Sequence, residues 1–332
     1  MTGQGAYILG CAGPRLGPEE RAFFAEAQPW GFILFARNVE DPGQLRRLTA
    51  DLRAALGRDA PILIDQEGGR VQRMRAPHWR EWLPPLDQAM RAGDRAPRAF
   101  ELRYRIIAQE LREVGIDVDC VPCGDLARPE THAILKNRCY GSDVDPVVAL
   151  GRAVARALIA GGVLPVMKHM PGHGRAMVDS HLEPPRVPTD AATLRATDFA
   201  VFRGLNDLPM GMTSHLVFEA LSDRPATIDP AMIALIRDEI GFGGLLMTDD
   251  ISMQALSGTV AQRGVAALAA GCDLVLHCNG DMAEMATLPA ALGPMTDAAQ
   301  ARAEAALALR HAPQPIDIAA AEAELEALMA ER

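Results

Sequence analysis

One short segment of this 332-residue chain is dense in side chains that transfer protons. Lys168-His-Met-Pro-Gly-His-Gly174 is followed five residues later by Asp179-Ser-His181. The proline and the glycines exclude a regular helix and predict a loop. If that loop is extended, Asp179 and His181 share a side, and a carboxylate beside an imidazole holds its tautomer and favours its protonated form. The segment therefore predicts part of a catalytic site with a histidine general acid.

Polar residues also follow other apolar runs, and in four cases they stand at the carboxyl end of the run. These ends are Asp65-Gln-Glu-Gly-Gly-Arg70 with Arg73 beyond, Lys168-His169, Thr213-Ser-His215 and Thr248-Asp-Asp250. In barrel enzymes the chemistry lies on the loops that follow the strands. These residues are therefore expected to lie together at the mouth of a barrel, the end at which the strands finish. Asp249 and Asp250 point to opposite sides of an extended backbone. One is expected to face the mouth, and the other to cap a helix starting near Ile251.

The apolar runs themselves predict the fold class. Most are continuously apolar, as expected of parallel strands that are covered on both faces, and helix-like segments separate them. The eight candidate strands are Ala6–Leu9, Phe32–Phe35, Pro61–Ile64, Ile116–Val121, Val163–Met167, Pro209–Met212, Leu245–Met247 and Asp273–Leu276. This alternation predicts an α/β fold, a (β/α)8 TIM-type barrel, with a doubly wound sheet as the alternative.

The segments between and after these runs complete the predicted architecture. Candidate helices are Glu19–Gln28, Pro42–Leu56, Arg98–Val114, Pro146–Ala160, Ala191–Asn206, Pro230–Ile240 and Val260–Ala270. Two further helices, Asp297–Arg310 and Ile316–Ala330, are expected to pack on the barrel without a chemical role. Because no linker-like stretch divides the chain, residues 1–332 are expected to form one domain.

Composition narrows the classes of partner. The net charge of −10 argues against a nucleic-acid surface and against a polybasic membrane anchor. The first residues show no secretory signal, and no run of about 18 apolar residues is present. A cytoplasmic protein with reduced cysteines is the expectation. We also expect a monomer that binds a small molecule and neither nucleic acid nor a membrane.

The motifs together resemble glycoside hydrolase family 3, and within it the bacterial β-N-acetylhexosaminidases. The matching pieces are Ile64-Asp-Gln-Glu-Gly-Gly-Arg-Val-Gln-Arg73, Asn137-Arg138, Lys168–Gly174, Asp179–His181 and Thr248-Asp-Asp-Ile-Ser-Met253. The resemblance implies a retaining mechanism through a covalent glycosyl-enzyme on Asp249, with His181 as acid/base and Asp179 as its orienting partner. It also implies five sugar-binding residues: Asp65, Arg73, Arg138, Lys168 and His169. No metal or organic cofactor is implied.

By the same resemblance, the substrates are cell-wall muropeptides, in which N-acetylglucosamine is linked to 1,6-anhydro-N-acetylmuramic acid, and the role is peptidoglycan recycling. Two alternatives stay open. A metal-dependent hydrolase on the same barrel could use His169, His173, His181 and Asp249 as ligands, although Pro171 and Gly172 interrupt any helical ligand pair. A family 3 β-glucosidase is the other alternative.

Several nearby residues have structural interpretations. His173 is expected to support its loop rather than react. His215 either contacts the sugar site or satisfies buried backbone groups. Glu67 is expected to fix the turn before Gly68, by pairing with Arg70 or another neighbour. The tryptophans Trp30, Trp79 and Trp82 suit packing as well as sugar stacking.

Overall fold

Eight parallel strands close into a barrel in which each strand pairs with its neighbours in the chain, and the last pairs with the first. The computed structural model describes residues 3–176 and 185–330. The barrel strands are β1 (Gly5–Gly10), β2 (Pro29–Leu34), β3 (Ile62–Ile64), β4 (Val118–Asp119), β5 (Leu164–Met170), β6 (Met210–Thr213), β7 (Leu245–Asp250) and β8 (Leu274–His277). The barrel prediction is confirmed, and the doubly wound alternative is wrong.

The fourth strand is shorter than the run Ile116–Val121 predicted. The backbone N–H of Ile116 bonds back to the carbonyl of Leu111, and that of Val121 bonds to the carbonyl of Asp119. Local turns therefore use both ends of the run, and the strand is limited to Val118 and Asp119.

Helices surround the barrel. They are α1 (Pro18–Ala27), α2 (Pro42–Leu56), α3 (Pro85–Ala92), α4 (Ala96–Glu113), α5 (Ala133–Lys136), α6 (Val144–Ala160), α7 (Ala191–Ala196), α8 (Asp198–Arg203), α9 (Pro230–Ala234), α10 (Val260–Ala270), α11 (Met282–Met285), α12 (Leu288–Leu292), α13 (Asp297–Leu307) and α14 (Ile318–Met329). Short 3-10 turns occur at Ala36–Asn38, Gly93–Arg95 and Ala226–Ile228, and a π-helical turn at Leu235–Glu239 continues α9. Two small two-stranded sheets pair Gln66–Gly68 with Val71–Gln72, and Arg186–Val187 with Val217–Phe218.

The single helix predicted over Ala191–Asn206 is two helices. Thr197 adopts φ −123° and ψ −86°, outside the helical region, and its hydroxyl donates to the carbonyl of Thr193. Side-chain bonds of this kind compete with the helical backbone. The break separates α7 from α8 and places Asp198 in the first turn of α8.

Two apolar layers hold the barrel together. Alternate strand residues such as Ile8 and Leu274 fill the interior, while their neighbours pack outward against the helices. Helix α13 closes the amino-terminal end of the barrel. Its Ala303 and Ala306 pack with the interior cluster, and Arg302 pairs with Asp273, just before β8, at 2.7 Å. Helix α13 does not cover the opposite end, where the strands finish, so that end is open to a ligand.

None of the helices in the described ranges has the length and apolar character needed to cross a membrane.

Candidate active site

A cavity of about 280 Å³ lies at the carboxyl end of the barrel. Strand ends supply its polar lining, as the sequence predicted: Asp65 follows β3, Lys168 and His169 lie in β5, and Asp249 is the penultimate residue of β7. Arg73 and Arg138 complete the set on loops. The sugar-binding role assigned to these residues stays a prediction, but the structure brings all of them to one cavity.

Below the cavity opening, two carboxylates alternate with three cations. Lys168 is 2 % exposed and its ammonium donates to Asp65 at 2.7 Å and to Glu67 at 2.6 Å. Arg73 donates to the other oxygen of Asp65 at 2.8 Å. Arg138 binds both oxygens of Glu67, at 2.9 and 2.7 Å. Each cation is thereby held in place at the cavity.

This network keeps its members charged. Burial alone would raise the pKa of Asp65 and Glu67, but Lys168, Arg73 and Arg138 outweigh it and hold both values below the ordinary range. Burial would lower the pKa of Lys168, and the two carboxylates raise it instead. Glu67 thus does fix its surroundings, as expected, with Arg138 and Lys168 as its partners. Its function is to hold two cations at the cavity.

Asp125 is a residue that the sequence interpretation missed. It is buried, and its carboxylate accepts from His169 Nδ1 at 2.7 Å and from the backbone N–H of His173 at 2.7 Å. Burial would raise the pKa of Asp125, but the His169 ring beside it and the hydrogen bond from the His173 backbone N–H hold it well below the usual value. The ionised Asp125 therefore accepts the hydrogen bond of the Nδ1 N–H, and the His169 ring presents its Nε2 toward Arg138, 3.5 Å away.

The signal that could have located Asp125 is its place in the chain. It follows the fourth strand within six residues, as the other lining residues follow theirs. Five residues, Cys120 to Gly124, separate it from that strand, so Asp125 does not stand directly at the strand end as Asp65 does after β3.

Asp249 has the properties required of a nucleophile. It lines the cavity, and its Oδ1 accepts from the backbone N–H of Asp250 at 2.8 Å. Burial would raise the pKa of Asp249, but the nearby His169 and the hydrogen bond from the backbone N–H of Asp250 outweigh burial and hold it below the ordinary value. The carboxylate is therefore ionised at neutral pH and faces the space a ligand would fill.

Asp250 is structural, but it does not cap a helix as expected. Residues 251–256 form turns, and the next helix, α10, begins only at Val260. The Asp250 carboxylate accepts from the backbone N–H and the hydroxyl of Ser252, at 3.0 and 2.6 Å. It also accepts from the backbone N–H of Cys278, at 3.1 Å. Asp250 thus ties the end of β7 to the end of β8.

His215 satisfies buried groups and is not part of the cavity lining. Its Nε2 donates to the carbonyl of Asp250 at 3.0 Å, and its Nδ1 contacts the Thr227 hydroxyl at 2.8 Å. Burial lowers the pKa of His215, so the ring is neutral. Of the two interpretations left open for His215, the structure favours the one based on packing.

The tryptophans do not line the cavity. Trp30 is in the interior of the barrel, and Trp82 packs with its ring 5.4 Å from the Arg103 guanidinium. The aromatic surface at the cavity comes from Phe35, over which Arg73 lies at 5.1 Å.

Asp179 and His181, the predicted orienting carboxylate and acid/base, lie outside the described residues. Their roles stay predictions. The loop that leads to them is described as far as Ala176, and its Arg175 donates to Asp198 at 2.7 Å. The small strand Arg186–Val187 continues the chain beyond them.

Within residues 3–176 and 185–330, one group of metal-ligand side chains lies close together: Cys123, Asp125 and His169, with ligand atoms all within 4.8 Å of one another. This group differs from the His169, His173, His181 and Asp249 set of the metal alternative. Its atoms already bond to each other, with the Cys123 thiol donating to Asp125 at 3.3 Å and His169 doing so at 2.7 Å.

Comparison with known proteins agrees with this architecture. Residues 11–308 match the model of the glycosyl hydrolase family 3 N-terminal domain. A "Beta-hexosaminidase" of Alkalilimnicola ehrlichii is 37% identical over 293 residues, covering 86% of this chain and 83% of the relative. One of Chromobacterium violaceum is 37% identical over 300 residues, covering 88% and 83%.

Among solved structures, NagZ from Neisseria gonorrhoeae in complex with N-trifluoroacetyl-D-glucosamine superposes with a TM-score of 0.86. It is 29% identical, and the alignment covers 99% of both chains. The family match covers most of this chain. The chain therefore belongs to glycosyl hydrolase family 3 and is a glycoside hydrolase related to the beta-hexosaminidases.

Proposed function

We propose that this protein is a retaining exo-β-N-acetylglucosaminidase that removes N-acetylglucosamine from cell-wall muropeptides during peptidoglycan recycling. The observation that carries the proposal is the ionised Asp249 in a small cavity whose other walls hold fixed, charged hydrogen-bonding groups. The beta-hexosaminidase names of the relatives and the glucosamine derivative bound to the gonococcal NagZ support an N-acetylated sugar as the ligand.

The reaction has two steps at one carbon atom. Asp249 attacks the anomeric carbon and forms a glycosyl ester, while the leaving oxygen takes a proton from His181. In the second step, His181 accepts a proton from water, which attacks the same carbon and frees both the sugar and Asp249. Asp179 would orient His181 and favour its protonated form in the first step.

The other lining residues hold the sugar. Carboxylate oxygens have about four acceptor sites between them, so Asp65 accepts from sugar hydroxyls while also paired with Lys168 and Arg73. Arg138 and Lys168 donate to hydroxyls, and His169, held at Nδ1 by Asp125, contributes its Nε2. These groups are positioned before a ligand arrives, which lowers the cost of ordering them on binding.

The specific aglycone, 1,6-anhydro-N-acetylmuramic acid with or without peptide, follows from the family resemblance. Three further predictions accompany it: a single domain over residues 1–332, a monomeric state and a cytoplasmic location.

A pair of chromogenic substrates tests the activity. The purified protein is expected to release 4-nitrophenol from the β-N-acetylglucosaminide much faster than from the β-glucoside, because the site is proposed to serve a 2-acetamido sugar. Faster cleavage of the glucoside would favour the β-glucosidase alternative. Loss of activity on exhaustive chelation, restored by a divalent metal, would favour the metal-dependent alternative.

A leaving-group series tests the role of His181. An activated aryl glycoside needs little protonation, so His181→Ala is expected to spare it relative to a poor leaving group such as an alkyl glycoside. Equal losses of kcat on both substrates would contradict the assignment of His181 as the acid.

A further inference from the structure

One imidazole in the cavity has no hydrogen-bond partner among the residues that the structure describes. His173 is 3 % exposed and lines the cavity, and neither Nδ1 nor Nε2 has a partner in the described part of the chain. Buried polar side chains in native proteins nearly always have a partner, and exceptions call for an explanation such as a ligand. The mechanism above does not use this residue.

The backbone around His173 holds the ring in place. Its N–H donates to the buried Asp125 at 2.7 Å. Gly172 has φ +146°, which a side chain would strain, and a Cβ on Gly174 would overlap the carbonyl oxygen of Leu126. The ring packs edge-on against His169, with centroids 5.1 Å apart. His173 therefore has a fixed position, set by the same carboxylate that orients His169.

His173 is a neutral group. Burial, aided by His169, lowers its pKa to about 3, so at neutral pH it offers one N–H donor and one acceptor nitrogen. Its electrostatic environment includes Asp249 and Asp125. Asp249 is proposed to attack the anomeric carbon of the bound sugar. His173, a polar group near Asp249, is therefore placed to contact the substituents on the ring carbon next to the anomeric carbon.

A 2-acetamido group matches what His173 offers. It carries one N–H donor and one carbonyl acceptor on the carbon adjacent to the anomeric centre, and both are neutral. We propose that His173 contacts the acetamido group of the bound sugar and sets the preference for hexosaminides over glucosides. This inference rests on the proposed function and deepens it. A sugar with only a hydroxyl there would leave part of the imidazole unsatisfied, and sites reject ligands on that ground.

Two variants test the proposal. His173→Phe keeps a ring and removes both nitrogens, while His173→Asn keeps one donor and one acceptor. The Phe variant is expected to lower kcat/KM for 4-nitrophenyl N-acetyl-β-glucosaminide by about 10- to 100-fold, mainly through KM, and to change the value for the β-glucoside by less than about twofold. The Asn variant is expected to retain more of the preference. Where glucoside cleavage is slow, inhibition constants of N-acetylglucosamine and glucose give the same comparison.

Equal losses on both sugars, or an unchanged preference in a folded Phe variant, would overturn the proposal. If the Phe variant does not fold, His173→Leu replaces it. If the wild-type protein cleaves neither substrate, the proposed function fails by itself. Calorimetry then measures the binding of N-acetylglucosamine and of glucose to wild type and variant. The proposal predicts that the variant binds N-acetylglucosamine more weakly and glucose with little change.

Discussion

At the scale of single residues, the cavity depends on buried charges that balance one another. Glu67 is 1 % exposed and pairs with Arg138 and Lys168. Removing one member of such a group leaves an uncompensated charge buried away from water. The resulting loss in the free energy of unfolding is far larger than the contribution of an exposed ion pair.

Glu67→Gln is therefore expected to lower the free energy of unfolding by about 3–5 kcal/mol. The matched control is Glu81→Gln, which breaks a 2.8 Å pair with Arg75 where both side chains are more than 40 % exposed, and should cost at most about 1 kcal/mol. Urea unfolding of both variants gives the comparison. Similar losses would show that the buried network is not the stronger contribution.

The sequence locates the ionisable residues of the cavity but not their partners. Asp65, Lys168 and Asp249 stand directly at the ends of apolar runs, so barrel geometry alone brings them together. Which cations Glu67 holds depends on how the loop carrying Arg138 folds back, over 71 residues of separation. Asp125 likewise acts through His169, 44 residues away in the chain. Sequence patterns carry no information about such distant side-chain pairs.

At the scale of elements, the loop after β5 depends on its glycines. A Cβ at Gly174 would overlap the backbone of Leu126, which is buried and cannot shift easily. Close packing makes even one added methyl group costly in such a place.

Gly174→Ala is thus expected to destabilise the protein by about 1–3 kcal/mol and to lower activity, because the overlap displaces His173. Gly13→Ala is the control, since a Cβ there meets nothing within 4 Å. Thermal unfolding of the two variants measures the difference. A Gly174 variant as stable and active as the Gly13 variant would show that the loop tolerates displacement.

The positions of the strands and helices were largely predictable from the sequence. Parallel strands buried on both faces appear as continuous apolar runs, and all eight were located. The break at Thr197 and the π-helical turn after α9 were not, because both arise from local hydrogen bonds that leave the apolar periodicity unchanged.

At the scale of the whole molecule, one buried acid links stability to pH. Asp119 is fully buried at the end of β4, and its Oδ2 has no partner among the described residues. Burial raises the pKa of Asp119 to about 7, against 3.8 ordinarily. The raised value means that the protonated form stabilises the fold. That contribution is complete below about pH 4 and is lost as pH rises through 7.

Asp119→Asn imitates the protonated acid at every pH. The melting temperature of wild type relative to this variant is expected to fall between pH 5 and pH 8. Oδ1 of Asp119 accepts from the backbone N–H of Gln66 at 3.0 Å, and the asparagine oxygen preserves that bond. Parallel pH profiles for the two proteins would contradict the raised pKa.

The proposed covalent step takes place in the cavity at the carboxyl end of the barrel, opposite the end that α13 covers. An N-acetylglucosaminyl fluoride carrying a second fluorine on the ring forms a glycosyl-enzyme quickly and loses it slowly. Intact mass spectrometry followed by peptide mapping is expected to find one added sugar on the peptide that contains Asp249, and none in Asp249→Ala. An active enzyme that carries no adduct, or carries it on another residue, would contradict the account.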